Sequence, residues 1–127
     1  MQVGYTDTSG KALTDYPRPS VAVDVALLAV VPNAGLSVLL VRRKGRHRHA
    51  QWQLPGTFLH EGETLSDAAN RALLSKVGVQ GLCPVQLTVL DAPDRDDRGW
   101  VLSVAHLDVV PQERLTAAVS DAVRLTR

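Results

Sequence analysis

The sequence predicts a domain of the α/β class, and three features lead to this prediction. Two apolar runs rich in leucine and β-branched residues, 21–32 and 36–43, are separated by a short turn. A segment follows in which apolar residues recur three and four positions apart, the period of an amphipathic helix. Two further strand-like runs, 83–93 and 100–110, complete the pattern. With 127 residues, 45% of them hydrophobic, the chain suits one globular domain with a modest core.

The composition argues against a membrane protein and against a strongly basic nucleic-acid-binding protein. The formal net charge is +1, and no apolar run free of charges reaches the roughly 18 to 20 residues that span a bilayer. The first twenty residues are polar and contain no apolar secretory core, so we expect a cytoplasmic protein. The single cysteine, Cys83, excludes an internal disulfide, and its apolar neighbours predict a buried side chain.

The chain is expected to begin with an irregular arm, residues 1–15, followed by one domain over residues 16–127. The arm region mixes Gly, Ser, Thr, Asp and Pro without a period. The first two strands are predicted to form a hairpin whose turn places Asn33 and Gly35 at positive φ. Both strands are expected to be central in the sheet. Asp24 interrupts the first strand, and we interpret it as an edge-facing or hydrogen-bonded structural residue rather than a catalytic one.

A helix of about three to four turns is predicted after Thr64. Thr64 and Asp67 have the spacing of a capping box, and Gly78 stands where a left-handed residue ends a helix. The apolar stripe consists of Leu65, Ala68, Ala69, Ala72 and Leu73. Near the end of the chain, the four-residue spacing of Leu115, Val119 and Val123 predicts a second, short helix.

Two charged segments leave alternatives open. Residues 42–49 contain five Lys or Arg and two His, which suits either a phosphate contact or a solvated loop. His47 and His49 alternate, but without a third ligand they make a weak metal site. The second segment, residues 91–99, alternates Asp and Arg and is typical of a solvated, self-neutralising turn.

The loop and the helix resemble the Nudix box, whose pattern is G-x5-E-x7-R-E-U-x-E-E-x-G-U, where U is aliphatic. The matching residues are Gly56, Glu63, Arg71, Leu73, Gly78 and Val79, although the opening glycine of the pattern falls on Thr57. Residues 16–111 also resemble the Nudix domain of Nudix-related transcriptional regulators of NAD metabolism. The resemblance implies a Nudix α/β/α sandwich, with a mixed sheet between helices.

In active Nudix hydrolases, three glutamates of this helix hold Mg²⁺ or Mn²⁺ against a diphosphate. The matching positions here are Ala72, Ser75 and Lys76, so the resemblance implies that the standard metal site is lost and that no catalytic residue is expected. Glu63 remains, and with Arg71 it matches the pair that ties the loop to the helix. Lys76 either faces the diphosphate as a fixed substitute for the metal ion or extends into solvent.

The preferred hypothesis is a binding module for a nucleoside-diphosphate compound such as ADP-ribose, with no cofactor and as a homodimer. The residues expected to contact the ligand are Arg42, Arg43, Trp52, Phe58, Arg71, Lys76, Arg95 and Arg98. The related regulators also carry a C-terminal winged helix. Only sixteen residues follow Pro111, so we expect a truncated or stand-alone domain that makes no direct DNA contact by itself.

Two alternatives stand beside this hypothesis. The first is a Mg²⁺-dependent pyrophosphohydrolase with a non-standard site made of Glu61, Glu63 and the acids of residues 91–99. The second is a dimerisation module without a small ligand, in which the strand around Trp100 forms an exposed edge that serves the interface.

Overall fold

A computed structural model describes residues 4–43 and 51–127 of the chain. The basic residues 44–50, including His47 and His49, lie outside the described residues. The strands are β1 (Ser20–Val31), β2 (Gly35–Arg42), β3 (Trp52–Gln53), β4 (Gly56–Phe58), β5 (Val85–Leu90), β6 (Val101–Val109) and β7 (Val123–Thr126). The α-helices are α1 (Leu65–Val77) and α2 (Glu113–Thr116), and one 3-10 turn, Leu13–Asp15, precedes β1.

These strands form one mixed sheet built around β1. The β1–β2 hairpin is antiparallel, and its turn has Asn33 at φ 66° and Gly35 at φ 84°, as predicted. On its other side β1 pairs in parallel with β6 from Ser20 to Leu28, and β5 pairs antiparallel with β6. The hairpin strands separate toward the start of β1, where β4 pairs with β1 while β3 and β7 pair with β2. Both hairpin strands are therefore central, as expected.

Helix α1 begins and ends where the sequence predicts. The Thr64 hydroxyl accepts a hydrogen bond from the Asp67 backbone N–H at 3.0 Å, and the Asp67 carboxylate accepts one from the Thr64 N–H at 3.1 Å. Gly78 ends the helix in the left-handed conformation, at φ 70°. The helix buries the face that carries Ala68, Ala69, Ala72, Leu73 and Val77. None of the helices in the described ranges is long and apolar enough to cross a membrane.

The main core lies on one face of the sheet. Alternate residues of β1, from Val23 to Ala29, are fully buried and pack with Leu39 of β2 and Leu73 of α1. Because side chains alternate across a strand, the residues that alternate with them, among them Asp24 and Ala26, lie on the opposite face and are half-buried, as is Ala22 just before them.

Three expectations are wrong. Only Glu113–Thr116 is helical in the C-terminal segment, because Val123 belongs to β7 and pairs with Val41 of β2. Strand β6 is not an edge, since it lies between β1 and β5, although Trp100 just before it is 47% exposed. Cys83 is exposed rather than buried, because in the segment before β5 the neighbouring Leu82 enters the core instead.

Candidate ligand-binding cleft

Arg71 joins the loop after β4 to helix α1. Its guanidinium donates to both carboxylate oxygens of Glu63, at 2.8 and 2.9 Å, and to the Thr57 hydroxyl at 2.9 Å. It also donates to the Phe58 carbonyl oxygen at 2.8 Å. We call Glu63, Arg71 and Thr57 the loop clamp. A planar guanidinium suits this arrangement because its N–H groups point in several fixed directions at once.

Both oxygens of the Glu63 carboxylate accept hydrogen bonds. Besides Arg71, the backbone N–H of His60 donates to it at 2.8 Å. The hydrogen bonds from Arg71, followed by the one from His60, lower the pKa of Glu63 to about 2. These three hydrogen bonds occupy most of the roughly four accepting positions of the carboxylate, which leaves little capacity for a metal ion.

The three positions that match the glutamates of the Nudix box have different surroundings. Ala72 is fully buried beneath the helix. Ser75 is exposed and lines a small hollow together with Leu74 and Gln80. Lys76 is also exposed, but it lines a cleft between the sheet and residues 94–98. Of these three residues, Lys76 is thus the one that can meet a ligand in this cleft.

This main cleft has a volume of about 560 Å³, a size suited to a small organic ligand. Its floor is the half-buried face of β1 and β4, and residues 94–98 form one wall. Five residues predicted to bind ligand line it, namely Arg43, Phe58, Lys76, Arg95 and Arg98. Asp24, Asp94 and Asp97 line it as well, so positive and negative groups share the cleft.

Arg98 is partly committed to holding the 94–98 wall in place. Its guanidinium donates to both carboxylate oxygens of Asp96, at 2.7 and 2.9 Å, and lies 5.0 Å from the centre of the Phe58 ring. This hydrogen bonding to Arg98 lowers the pKa of Asp96 well below its usual range. Arg98 and Phe58 thus fasten the wall to the sheet. The cleft also holds Arg43, Lys76 and Arg95, of which Arg95 donates a long hydrogen bond to the Val101 carbonyl oxygen, at 3.5 Å.

The remaining predicted ligand-binding residues lie outside the main cleft. Arg71 belongs to the loop clamp. The Trp52 ring lies 5.5 Å from the Arg42 guanidinium and 4.2 Å from that of Arg124. Arg42 pairs with Trp52 between β2 and β3, and Arg124 lies on β7, so the three side chains form a stack across neighbouring strands.

Sequence reasoning assigned Asp24 a structural role and did not place it in a ligand site. The structure puts it on the cleft floor, where it accepts a hydrogen bond from the buried Ser103 hydroxyl. Gly56 of β4 lies directly opposite, at the Asp24 pairing position. The one available signal was the presence of a charged residue inside an otherwise uncharged strand.

The acids of the hydrolase alternative do not lie together. Glu61 and Glu63 line a hollow with Arg18 and His60, whereas Asp94, Asp96 and Asp97 line the main cleft. Within residues 4–43 and 51–127, no three His, Cys, Asp or Glu side chains are grouped closely enough to hold a metal ion.

A loop fastened to a capped helix, beside a cleft on a mixed sheet, defines a small α/β domain with one candidate site for a small ligand. The sequence model of the NUDIX domain matches residues 22–124, and the chain belongs to the Nudix family. The predicted family and the mixed-sheet α/β fold are thereby confirmed.

Two characterised relatives are similar in sequence. The chain is 32% identical over 99 residues to the ADPR responsive transcriptional repressor NtrR of Acinetobacter baylyi, covering 76% of this chain and 39% of that protein. It is 34% identical over 99 residues to the ADP-ribose pyrophosphatase of Methanocaldococcus jannaschii, covering 77% of this chain and 56% of that protein. The matched region thus spans roughly half of each relative or less.

A solved structure shares the fold. The NUDIX domain of Shewanella oneidensis NrtR, crystallised in complex with ADP ribose, has a TM-score of 0.74 and 27% sequence identity. The match covers 93% of this chain and 79% of that chain. The expected resemblance to Nudix-related regulators is therefore confirmed.

Proposed function

We propose that this domain binds a nucleoside-diphosphate compound such as ADP-ribose without a metal ion and without hydrolysing it. The observation that carries the proposal is Lys76. It occupies a position where the Nudix box has a metal-binding glutamate, and it lines the main cleft. A lysine there supplies a positive charge to the ligand from the protein itself.

Electrostatics favours the lysine over a metal ion at this position. A fixed ammonium group repels a dication at short range, whereas it attracts each negatively charged oxygen of a diphosphate. Lys76 is exposed, so salt screens both effects, and the neighbouring cleft residues Arg43 and Arg95 are needed to add to the attraction. The proposal therefore predicts binding that weakens as the salt concentration rises.

The choice of ADP-ribose as the probe comes from the relatives. ADP-ribose or its abbreviation appears in the names of both sequence relatives and in the crystallised NrtR complex. One of these relatives is a repressor and the other is a pyrophosphatase, so their names leave binding and hydrolysis as separate possibilities. The lack of acids at Ala72, Ser75 and Lys76 supports binding.

A thermal-shift titration with ADP-ribose, with Mg²⁺ or with a chelator, tests the proposal. We expect ADP-ribose to raise the Tm equally under both conditions and chromatography to recover the ligand intact. Lys76→Ala should weaken binding about tenfold or more, because a hydrogen bond to a charged group contributes roughly 1.5–3 kcal/mol. Arg127→Ala removes one charge from an exposed residue outside the cleft and serves as the matched control.

Two results would contradict the proposal. Release of AMP or another cleavage product in the presence of Mg²⁺, and its loss in Glu63→Gln, would establish the hydrolase alternative. No Tm shift with ADP-ribose under either condition would instead leave the dimerisation alternative.

We also infer that the domain forms a homodimer through β5 and makes no direct DNA contact by itself. In the described residues, β5 pairs with β6 alone, and all six of its residues are exposed, including Val85 at 64% and Leu87 at 61%. The strand carries no charged residue, and unprotected edge strands tend to pair with another chain. Sedimentation should show a dimer that Leu87→Lys disrupts; a monomer would contradict this part.

A further inference from the structure

We infer that Asp24 makes the main cleft selective for a ribose-containing diphosphate over a simple diphosphate. Its carboxylate would accept a hydrogen bond from a donor group of the nucleoside portion, a ribose hydroxyl or the adenine amine. The inference rests on the proposed function and assigns to that site a residue that determines specificity.

The position of Asp24 is the first observation. It is the only charged residue of the twelve-residue strand β1, and it lies half-buried on the cleft floor. Ala22 and Ala26 precede and follow it on the same sheet face, so no large side chain of β1 flanks it there. A half-buried carboxylate loses part of its hydration and requires hydrogen-bond partners in return.

The hydrogen bonding of Asp24 is the second observation. The fully buried Ser103 hydroxyl donates to Oδ2 and holds the carboxylate in one orientation. Among the described residues, Ser103 is the only donor that reaches Asp24. A carboxylate can accept about four hydrogen bonds, so this one keeps accepting capacity for a ligand.

Gly56 provides the third observation, because it makes room for the carboxylate. A methyl group added at Gly56 would overlap Oδ1 of Asp24 and would lie 2.9 Å from the Val23 carbonyl oxygen. The φ of Gly56 is not in the left-handed region, so the need for glycine comes from this close approach. The cleft floor is thus built around the Asp24 side chain.

The distribution of charges in the main cleft is the basis of the proposed selectivity. Lys76, Arg43 and Arg95 attract any diphosphate, whereas the negative charge of Asp24 in the same cleft opposes anions. A ligand with hydrogen-bond donors beside its diphosphate offsets the repulsion from Asp24 by donating a hydrogen bond to its carboxylate. Inorganic pyrophosphate has no nucleoside portion to supply this donor. Loss of the charge should therefore weaken the binding of the ribose-containing ligand without weakening the binding of pyrophosphate.

Calorimetric titration of Asp24→Asn with ADP-ribose and with pyrophosphate, in chelator, tests this. Asparagine keeps the size of the side chain and an oxygen for Ser103, but it loses the charge. We expect ADP-ribose to bind about tenfold more weakly and pyrophosphate to bind equally well or more tightly. Asp121→Asn, which removes one exposed acid outside the main cleft, is the matched control and should not weaken ADP-ribose binding.

A second variant keeps the test valid if Asp24→Asn folds poorly. The double substitution Asp24→Ala with Ser103→Ala removes both hydrogen-bonding partners, so that neither is left buried and unsatisfied. The double variant should also bind ADP-ribose more weakly than wild type while its affinity for pyrophosphate does not fall. Two analogues tested with wild-type protein distinguish the possible donors. 2′-Deoxy-ADP-ribose lacks a ribose hydroxyl, and the inosine analogue of ADP-ribose lacks the adenine amine. The analogue that binds with the lower affinity lacks the donor that Asp24 uses.

The results separate the inference from the proposed function. If wild type binds ADP-ribose and Asp24→Asn leaves that affinity unchanged, or weakens both ligands equally, Asp24 is structural and the inference is wrong while the function stands. If wild type binds ADP-ribose in neither chelator nor Mg²⁺, the proposed function fails and the inference fails with it.

Discussion

The two halves of the Nudix box differ in what they retain. The loop clamp keeps its full set of contacts, with Arg71 bound to Glu63, Thr57 and the Phe58 carbonyl. In the second half, the positions that match metal-binding glutamates hold Ala72, Ser75 and Lys76. The same helix, α1, carries Arg71 and these three residues.

If the proposed function holds, the shape of the loop and the metal chemistry are separable. Every contact of the loop clamp is a hydrogen bond between protein groups, so the loop needs no metal ion to hold its conformation. A cleft with a defined shape can therefore persist after the metal-binding residues have changed. The predictions below test each half separately, beginning with the largest expected effect.

Breaking the loop clamp should have the largest effect. Arg71→Ala removes four hydrogen bonds and leaves Glu63 without its counter-charge. We expect the Tm to fall by roughly 10 °C and ADP-ribose binding to be lost with the loop conformation. Differential scanning calorimetry measures the first effect. Arg18→Ala, an exposed arginine near the same loop, is the control; an unchanged Tm for Arg71→Ala would show that the clamp does not hold the loop.

Restoring acids in the second half of the Nudix box should make ligand binding depend on Mg²⁺. Ser75→Glu together with Lys76→Glu places two carboxylates where the Nudix box has an adjacent pair. We expect ADP-ribose affinity in chelator to fall at least about tenfold and to recover in part with Mg²⁺. Ser75→Gln with Lys76→Gln is the uncharged control. Equal binding by all of these variants would mean that this half does not contact the ligand.

The pH dependence of the free energy of unfolding should reveal the contribution of Glu63 to stability. Its pKa is lowered from 4.5 to about 2 on folding, so its contribution to stability is complete above pH 4.5 and is lost as the pH falls toward 2. Glu63→Gln should therefore be less stable than wild type near neutral pH, and the difference should shrink across this window. Urea unfolding at a series of pH values measures it. Glu61→Gln controls for the loss of one charge, and a pH-independent difference would argue against this role.

The helix cap should give the smallest effect. Thr64→Ala removes the side-chain oxygen that caps the Asp67 N–H, and we expect a loss of about 1 kcal/mol in the free energy of unfolding. Binding of ADP-ribose in chelator should stay within about twofold of wild type, because the loop clamp remains. Thr116→Ala, on the exposed face of α2, is a suitable comparison. A loss of binding in Thr64→Ala would mean that the cap itself shapes the cleft.

Local signals in the sequence predicted much of the fold. The Asn33 and Gly35 turn, the Thr64 cap and the Gly78 end depend on residues close together in the chain. The end of the chain was predicted wrongly because the four-residue spacing of Leu115, Val119 and Val123 fits a helix. The strand β7 instead depends on backbone pairing with β2, some eighty residues earlier, which no local pattern reveals.

The site was less accessible to sequence reasoning than the fold. Lys76 followed from the register of the box, but the placement of Asp24 beside Gly56 and Ser103 depends on three strands meeting in the sheet. Likewise, the contact of Arg98 with Phe58 depends on how the 94–98 wall folds back onto β4. Such contacts between distant segments have no periodic signature in the chain.

The most direct test of the central claim is the dissociation constant of ADP-ribose for the wild-type domain, measured by calorimetry with chelator and again with Mg²⁺. If Lys76 has replaced the metal ion, the two constants should agree within about twofold. Binding that requires Mg²⁺, or that tightens with it by about tenfold or more, would contradict the claim and would show that this half of the box still recruits a metal ion.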